Sequence, residues 1–167
     1  MNRLATSALV GAVLLAGAAP VRAEEGAPMT MPGGLAVMPD GNDMNWQPAP
    51  ASLPKGMMIT MLQGDPSKPG PFTLRLTMPA NTVIAPHTHS KDESVTVISG
   101  DFYHGHENTI DKSKGTEVHT GGFVFLPADH VHSLWTGSEP AVIQVTGTGP
   151  FGVQYINPAD DPSKGRS

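Results

Sequence analysis

From Met57 onwards the chain is a succession of short strand-like segments separated by turn residues, and this pattern limits the fold more than any other feature. Residues 72–78 show it most clearly, because Phe, Leu, Leu and Met alternate there with Thr, Arg and Thr, as in a strand with one buried face. Glycine and proline, with 19 and 17 residues, are abundant and supply turns. The sequence therefore predicts an all-β domain, a double-sheet jelly roll or barrel. The expected strands are residues 57–63, 72–78, 94–99, 101–106, 122–126, 132–136, 141–146 and 152–156.

The first 23 residues have the organisation of a secretory signal peptide. An uncharged apolar run over residues 4–19 follows a weakly basic start, and Val21 and Ala23 place small residues at the two positions that a signal peptidase reads. The alternative, a transmembrane anchor, is disfavoured because about 20 apolar residues are needed to span a bilayer. We therefore predict a Sec-type signal peptide over residues 1–23 and a mature protein that begins at Glu24 in the periplasm.

Three further segments complete the expected organisation. Residues 24–56 are rich in proline, glycine, methionine and aspartate and show no helical or strand period, which indicates an extended N-terminal arm. Within this arm we expect an edge strand near residues 35–38 and an anchoring contact made by Trp46. The β-barrel is expected over residues 57–156 and a C-terminal tail over residues 157–167.

Charge and composition exclude several classes of function. The formal net charge is −5, and the ten Lys and Arg residues are scattered, which argues against nucleic acid or an anionic membrane as a partner. No apolar run after the signal peptide is long enough to cross a bilayer, so no membrane partner is expected once the peptide is removed. The chain has no cysteine, so disulfides, thiolate catalysis and cysteine-based metal sites are excluded.

The histidines point to a metal site. All seven lie within residues 87–132. His87 and His89 are two residues apart and would point to the same face of a strand. A turn over residues 90–92 would bring Glu93 back to the same space. Two imidazoles and a carboxylate, completed by an imidazole from another strand, suit Mn, Fe, Co, Ni, Cu or Zn better than Ca or Mg, which prefer oxygen ligands.

Two stretches resemble the paired motifs of the cupin family. In the first motif His-x-His is followed after three residues by Glu and after six more by Gly, as in residues 87–100 here. The second motif has Gly, then Pro after five residues, and a His further on, which match Gly121, Pro127 and His132. The resemblance implies a single double-stranded β-helix, or jelly-roll barrel, that holds one divalent transition metal ion through His87, His89, Glu93 and His132.

This chain departs from the cupin motifs at three positions. Asn81 and Asp129 stand where the family often has Gly. Both are expected to turn the backbone, because Asn and Asp are the residues other than Gly that best tolerate a positive φ. Thr136 replaces the final Asn of the second motif, which is not a metal ligand in the pattern. None of the three changes removes an implied ligand.

The resemblance implies a metal-dependent enzyme acting on a small organic molecule, with dioxygenase-type oxidation favoured and Glu93 serving as a proton acceptor. Two alternatives remain open: a non-catalytic sensor that binds a small molecule through the metal, and a periplasmic protein for metal storage or delivery. A homodimer is expected by analogy with other cupins. Residues 149–158 are similar to the C-terminal segment of exported single-domain bacterial cupins, which supports the fold and export.

The remaining histidines and apolar residues receive simpler interpretations. His104 and His106 are expected to form a solvent-facing pair on the barrel exterior, with a second metal site or an acid–base role as the alternative. His130 is expected in an exposed loop and His119 on the surface. Trp135 is expected to make an inter-sheet or dimer contact. The residues expected to line the barrel are Phe123, Phe125, Leu126, Leu134 and Val145.

Four methionines suggest a further alternative, a Cu(I) carrier, because thioethers ligate Cu(I). They do not form a tight repeat, and methionine also fills gaps in protein cores. This alternative is therefore less favoured. The four residues are Met29, Met31, Met38 and Met44.

Overall fold

The computed structural model describes residues 29–30, 36–38, 41 and 44–165, so the expected signal peptide at residues 1–23 lies outside the described residues. These residues form thirteen strands and two short 3-10 helices. The strands are β1 (Met29–Thr30), β2 (Ala36–Val37), β3 (Gln47–Pro48), β4 (Met58–Gln63), β5 (Gly70–Met78), β6 (Val83–Thr88), β7 (Glu93–Ser99), β8 (Phe102–Gly105), β9 (Thr116–Val118), β10 (Phe123–Leu126), β11 (His132–Trp135), β12 (Ala141–Gly149) and β13 (Gln154–Tyr155). The 3-10 helices are Pro158–Asp160 and Pro162–Lys164.

Two antiparallel sheets form the body of the protein. The six-stranded sheet has the order β10-β7-β12-β5-β4-β3, and the five-stranded sheet has the order β13-β6-β11-β8-β9. Strands β1 and β2 pair separately as a two-stranded ribbon, which places strand structure near the expected edge strand in the arm. No helix in the described part of the chain has the length and apolar character needed to cross a bilayer.

The core lies between the inner faces of the two sheets. Strands β5 and β12 are paired in register, with Leu74 opposite Val145 and Leu76 opposite Ile143, and all four side chains are buried. Leu134 of the five-stranded sheet belongs to the same buried cluster. This alternation of buried and half-buried residues is the pattern from which the strand over residues 72–78 was expected. The expected all-β jelly-roll fold is confirmed.

Two left-handed turns hold the strand ends that carry the site. Asn81 and Asp129 have φ values of 57° and 61°, as expected where Asn and Asp replace Gly. The Asn81 amide donates to the carbonyl of Gly137 over 2.8 Å, and the Asp129 amide donates to the carbonyl of His89 over 2.8 Å. Asp129 therefore ties the second motif to the first through the backbone.

Thr136, at the third departure from the cupin motifs, has a structural role. Its hydroxyl donates to the carbonyl of Pro79 over 2.6 Å and accepts from the amide of Thr82 over 3.0 Å. The side chain is buried, and its hydroxyl bridges two backbone groups that also bond to each other over 3.3 Å. The residue locks the end of β11 against the start of β6.

The expectations for Phe123 and Phe125 are wrong. Their side chains are 61% and 55% exposed, whereas Leu126 is buried, as are the correctly expected Leu134 and Val145. Successive residues of a strand face opposite sides, so Phe125 and Leu126 could not both line the barrel. The two aromatic rings lie instead on the outer face of the edge strand β10.

The expected homodimer remains a prediction.

Trp135 contacts residues of its own sheet, and the expected dimer contact remains a prediction. Its ring stacks on Tyr103 of the same sheet, with centroids 5.8 Å apart and an interplanar angle of 8°. The side chain is buried, and Gly105 and Gly115 lie against its ring. The β8–β9 hairpin thus covers Trp135 within one chain.

We predict that two glycines with positive φ differ in their tolerance of a side chain. Gly100 and Gly121 have φ values of 71° and 84°, and an alanine at either should cost about 1–2 kcal/mol of backbone strain. A Cβ at Gly100 would also collide with the carbonyl oxygen of Pro140, whereas a Cβ at Gly121 would meet open space. Urea denaturation should show Gly100→Ala to be less stable than Gly121→Ala by about 2 kcal/mol. Equal losses in the two variants would contradict the tight approach at Gly100.

Candidate metal centre

Strand pairing brings two of the four expected ligands together. His87 on β6 and His132 on β11 are direct partners in the antiparallel register. His89 follows two residues after His87, and Glu93 opens β7 of the opposite sheet. All four side chains are buried, with exposed fractions between 1% and 6%. The site therefore joins both sheets at one end of the barrel.

The donor atoms converge on a common point. The ligand nitrogens of His87, His89 and His132 all lie within 4.8 Å of one another. The Oε2 atom of Glu93 is 3.5 Å from Nε2 of His89 and 3.4 Å from Nε2 of His132. Two ligands held at about 2.0–2.2 Å from a tetrahedral ion are roughly 3.3–3.6 Å apart. The spacing of these donors therefore fits a transition metal ion.

Backbone carbonyls fix the orientation of all three imidazoles. Nδ1 of His87 lies 2.7 Å from the carbonyl of Ala85, and Nδ1 of His89 lies 2.7 Å from the carbonyl of Gly152. Nδ1 of His132 lies 3.2 Å from the carbonyl of His130. A carbonyl oxygen only accepts, so each Nδ1 carries the hydrogen and each Nε2 keeps its lone pair. Such a contact sets the tautomer of a metal-binding histidine and strengthens its donor atom.

Burial favours the neutral form of two ligand imidazoles, those of His87 and His89. It lowers the pKa of His87 well below its ordinary value, and the neighbouring rings of His132 and His89 lower it further. Burial also lowers the pKa of His89, although the Glu93 carboxylate acts in the opposite direction. Only neutral imidazole binds a metal. Both side chains are therefore ready to coordinate an ion at neutral pH.

Two of the converging atoms lack a hydrogen-bond partner among the described residues. They are Oε2 of Glu93 and Nε2 of His132, and both are buried. A buried polar atom without a partner is costly in free energy, and a bound cation would satisfy both at once. The residues therefore fit a divalent transition metal ion held by His87, His89, His132 and Glu93.

An apolar cavity of about 140 Å³ adjoins these ligands. Its floor is formed by core residues such as Leu74 and Ile143, and Phe151 stacks on His89 with centroids 4.3 Å apart. The segment that contains Leu53 covers another side. The Tyr155 hydroxyl donates to the carbonyl of Ser52 over 2.7 Å, which holds this segment of the arm in place.

The expectation that His104 faces solvent is wrong. Its side chain is 2% exposed, and its ring stacks against His132 with centroids 5.7 Å apart. The signal was present in the alternation of β8, because Phe102 lies two residues earlier and is also buried. His106 is exposed, as expected.

The two other histidines lie at the surface, as expected. Nε2 of His130 is 3.3 Å from Nδ1 of His106, a contact that the sequence interpretation did not include. Nδ1 of His119 lies 3.1 Å from Oδ1 of Asp101. The sulfur of Met44, considered for Cu(I), accepts a hydrogen bond from Arg75 over 3.6 Å.

A family model described as the ChrR cupin-like domain matches residues 36–152. The chain belongs to the cupin family. The match contains both motifs and all four residues of the metal centre, and it confirms a single cupin domain. No curated protein matches the sequence.

Solved structures with a similar fold agree with this assignment. A candidate ethanolamine utilization protein Q from Salmonella typhimurium LT2 is 18% identical, with a TM-score of 0.58 over 73% of this chain and 92% of that chain. An RmlC-like cupin from Ralstonia eutropha JMP134 is 23% identical, with a TM-score of 0.54 over 72% of each chain. A candidate acetylacetone dioxygenase from Methylibium petroleiphilum PM1 is 19% identical, with a TM-score of 0.53 over 71% of this chain and 78% of that chain. At these identities the similarity shows the fold.

We predict that His104→Phe flattens the pH dependence of stability in the metal-free cupin. Burial, followed by the nearby imidazoles of His132 and His106, lowers the pKa of His104 from 6.5 to about 3. Below pH 6.5 the unfolded chain takes up a proton that the folded protein refuses, so stability falls as the pH decreases towards 3. One such group contributes about 1.4 kcal/mol per pH unit within this window.

Urea denaturation with a chelator present measures the free energy of unfolding between about pH 6 and pH 5. Its change per pH unit should be smaller in His104→Phe than in the wild type by about 1.4 kcal/mol. An unchanged slope would mean that the folded protein can protonate this imidazole.

Proposed function

We propose that this cupin is a metal-dependent enzyme that oxidises a small, weakly polar organic molecule, with dioxygenase-type chemistry favoured. The proposal depends on one observation: three buried imidazoles and a buried carboxylate lie together at one end of an apolar cavity. A site that served only to stabilise the fold would not need a cavity beside its buried donors. An organic molecule in this cavity would lie next to the ion.

The metal would be held by the Nε2 atoms of His87, His89 and His132 and by the Glu93 carboxylate. When bound, a divalent Fe, Mn, Co, Ni, Cu or Zn ion supplies Lewis acidity, and a redox-active ion among these also supplies electron transfer. Four protein ligands leave one or two coordination positions for water, substrate or O₂ in a five- or six-coordinate ion. Elemental analysis would identify the metal.

The cavity indicates the size and polarity of the substrate. An apolar cavity of about 150 Å³ can hold a molecule the size of benzene, and the cavity here is about 140 Å³. Among the described residues that line it there is no Lys or Arg, so apart from the metal ion itself no cation is available to pair with a substrate carboxylate or phosphate. This favours a neutral compound. Acetylacetone, named for one structure of similar fold, has a suitable size.

Glu93 is the residue best placed to accept a proton from the substrate. Its side chain lines the cavity, and its Oε2 atom has no hydrogen-bond partner among the described residues. The carboxylate also lies at the ligand cluster, so proton uptake would weaken its attachment to the ion. A general base must be within hydrogen-bond reach of the proton that it removes, and the position at the cavity wall meets this requirement.

The proposed enzyme can be tested by separating metal binding from turnover. Glu93→Gln keeps an oxygen donor but loses the negative charge and the basic oxygen, so we expect turnover to fall by at least about 100-fold. Its metal content should fall much less than that of the double variant His87→Ala/His132→Ala, which should lose the ion. Oxygen uptake with small diketones and phenols, together with elemental analysis, measures both effects.

His119→Ala provides the matched control, because it removes an exposed histidine that lies outside the centre. It should retain both metal and turnover. Tight binding of a small molecule without turnover in the wild type would instead support the sensor alternative. Rapid release of the ion to a competing chelator, without any organic ligand, would support storage or delivery.

We further propose that the protein is exported to the periplasm. The basis is the order of basic start, apolar run and small residues before Glu24. Expression of the full chain in a bacterial host should give a periplasmic protein whose N-terminal residue is Glu24, as read by mass spectrometry of the intact protein. Replacement of Val21 and Ala23 by bulky residues should block the cleavage. A cytoplasmic protein that retains residues 1–23 would contradict export.

A further inference from the structure

Three histidines outside the ligand set form a continuous line from the metal centre to the surface. His104 stacks on the ligand His132, with ring centroids 5.7 Å apart. His106 meets His104 edge to face at 4.5 Å, and His130 meets His106 at 5.6 Å. His104 is buried, whereas His106 and His130 are exposed. The line therefore passes from solvent to the inner ligands through side chains that can each bind a metal.

The outer pair has the spacing of two metal ligands. Nδ1 of His106 and Nε2 of His130 are 3.3 Å apart. Two imidazole nitrogens at about 2.0–2.1 Å from a tetrahedral ion are roughly 3.3–3.4 Å apart. In the metal-free protein the same distance allows a hydrogen bond in which one ring donates to the other. An entering ion would take the place of this proton, which would move, by exchange with water, to the other nitrogen of the same ring, so that both imidazoles stay neutral.

His104, the buried member of the line, also has a ring nitrogen that could bind a metal. Nε2 of His104 is buried and has no hydrogen-bond partner among the described residues. The described residues that line the substrate cavity do not include His104, His106 or His130. The line therefore reaches the ligand His132 by a route separate from the apolar cavity beside Phe151.

We propose that His106 and His130 form a second, solvent-accessible site for a divalent transition metal ion, and that His104 passes the ion from this site to the buried centre. The delivery step rests on the proposed function, because it requires the buried centre to hold a metal. The chemistry is ligand exchange alone: water ligands are replaced by imidazoles, one by one, and the oxidation state of the ion does not change.

This route suits the burial of the inner ligands better than the cavity does. Moving a hydrated divalent ion into an apolar space without new ligands costs free energy, and the cavity wall is mainly apolar. Along the histidine line each lost water can be replaced by a nitrogen. Acidic residues, Glu107 and Asp129, adjoin His106 and His130 in the chain and favour a cation at the outer site.

The outer site can be tested by zinc stoichiometry. Mature protein stripped of metal should bind two equivalents of Zn²⁺ in calorimetric titration, with the second weaker than the first by at least about tenfold. The variant His106→Ala/His130→Ala should keep the tight equivalent and lose the weak one. The variant His87→Ala/His132→Ala should keep only the weak one. His119→Ala disrupts the other exposed group of possible ligands, Asp101, Glu117 and His119, and should bind as the wild type does; loss of the weak equivalent in this variant would overturn the assignment to His106 and His130.

The delivery step can be tested by the rate of loading. Stopped-flow transfer of limiting Zn²⁺ from a chromophoric indicator to the buried centre should be slower by at least about tenfold in His106→Ala/His130→Ala, with the affinity of the buried centre unchanged. His104→Phe should also slow the transfer while it keeps the weak equivalent. Circular dichroism establishes that each variant is folded.

The outcomes separate this inference from the proposed function. A weak equivalent that persists in His106→Ala/His130→Ala would overturn the outer site, and wild-type loading rates in that variant would overturn delivery. Absence of the tight equivalent from the wild type, with the weak one retained, would overturn the metal-dependent enzyme and the delivery step but leave the outer site intact. Loss of turnover in a variant that loads Zn²⁺ at the wild-type rate would bear on the proposed enzyme and not on the outer site or on delivery.

Discussion

The pairing of His132 with His87 across strands β11 and β6 is the constraint on which the metal centre depends. A slip of one residue would turn one of the two imidazoles away from the barrel interior, because alternate residues of a strand face opposite sides. The register is held at both ends of the strand pair: Thr136 bonds to the backbone near Thr82, and Asp129 bonds to the carbonyl of His89. Asp129 and Thr136, which depart from the cupin motifs, therefore align the candidate ligands through backbone hydrogen bonds.

The candidate ligand set combines three imidazoles with a single carboxylate. Burial opposes charge on His87 and His89, and the carbonyls bonded to the Nδ1 atoms of these two residues hold the Nε2 lone pairs towards the centre. Glu93 arrives from the opposite sheet and supplies the negative charge that a divalent cation requires. One of the four donors thus depends on the packing of the two sheets against each other. A loss of inter-sheet packing would separate Glu93 from the imidazoles even if each sheet remained intact.

Much of the fold could be predicted because it follows local periodicity, and the clustering of the four candidate ligands could be predicted from that periodicity together with the cupin motifs. The spacing of His87 and His89 reflects the two-residue repeat of a strand, and the left-handed turns at Asn81 and Asp129 follow from the residue types. The failures have the same origin. An edge strand gives no indication of which face is inward, so Phe123 and Phe125 were assigned to the wrong side. His104 was misplaced because a polar residue on a core-facing position is recognised only through its neighbour Phe102. The carbonyl partners of the imidazoles have no side-chain signature, and neither does the cavity, which depends on how the two sheets pack.

Phe151 and Gly152 link the organic cavity to the metal centre in a further way. The ring of Phe151 stacks on His89 and lines the cavity, while the next residue supplies the carbonyl that accepts from Nδ1 of His89. Any occupant that shifts Phe151 must therefore also disturb the acceptor that tunes the donor strength of His89. By thermodynamic reciprocity, if an ion at the ligands changed the affinity of the cavity for its occupant, the occupant would change the affinity for the ion by the same factor. A single dipeptide would thus couple the proposed binding of an organic molecule to the proposed binding of the ion.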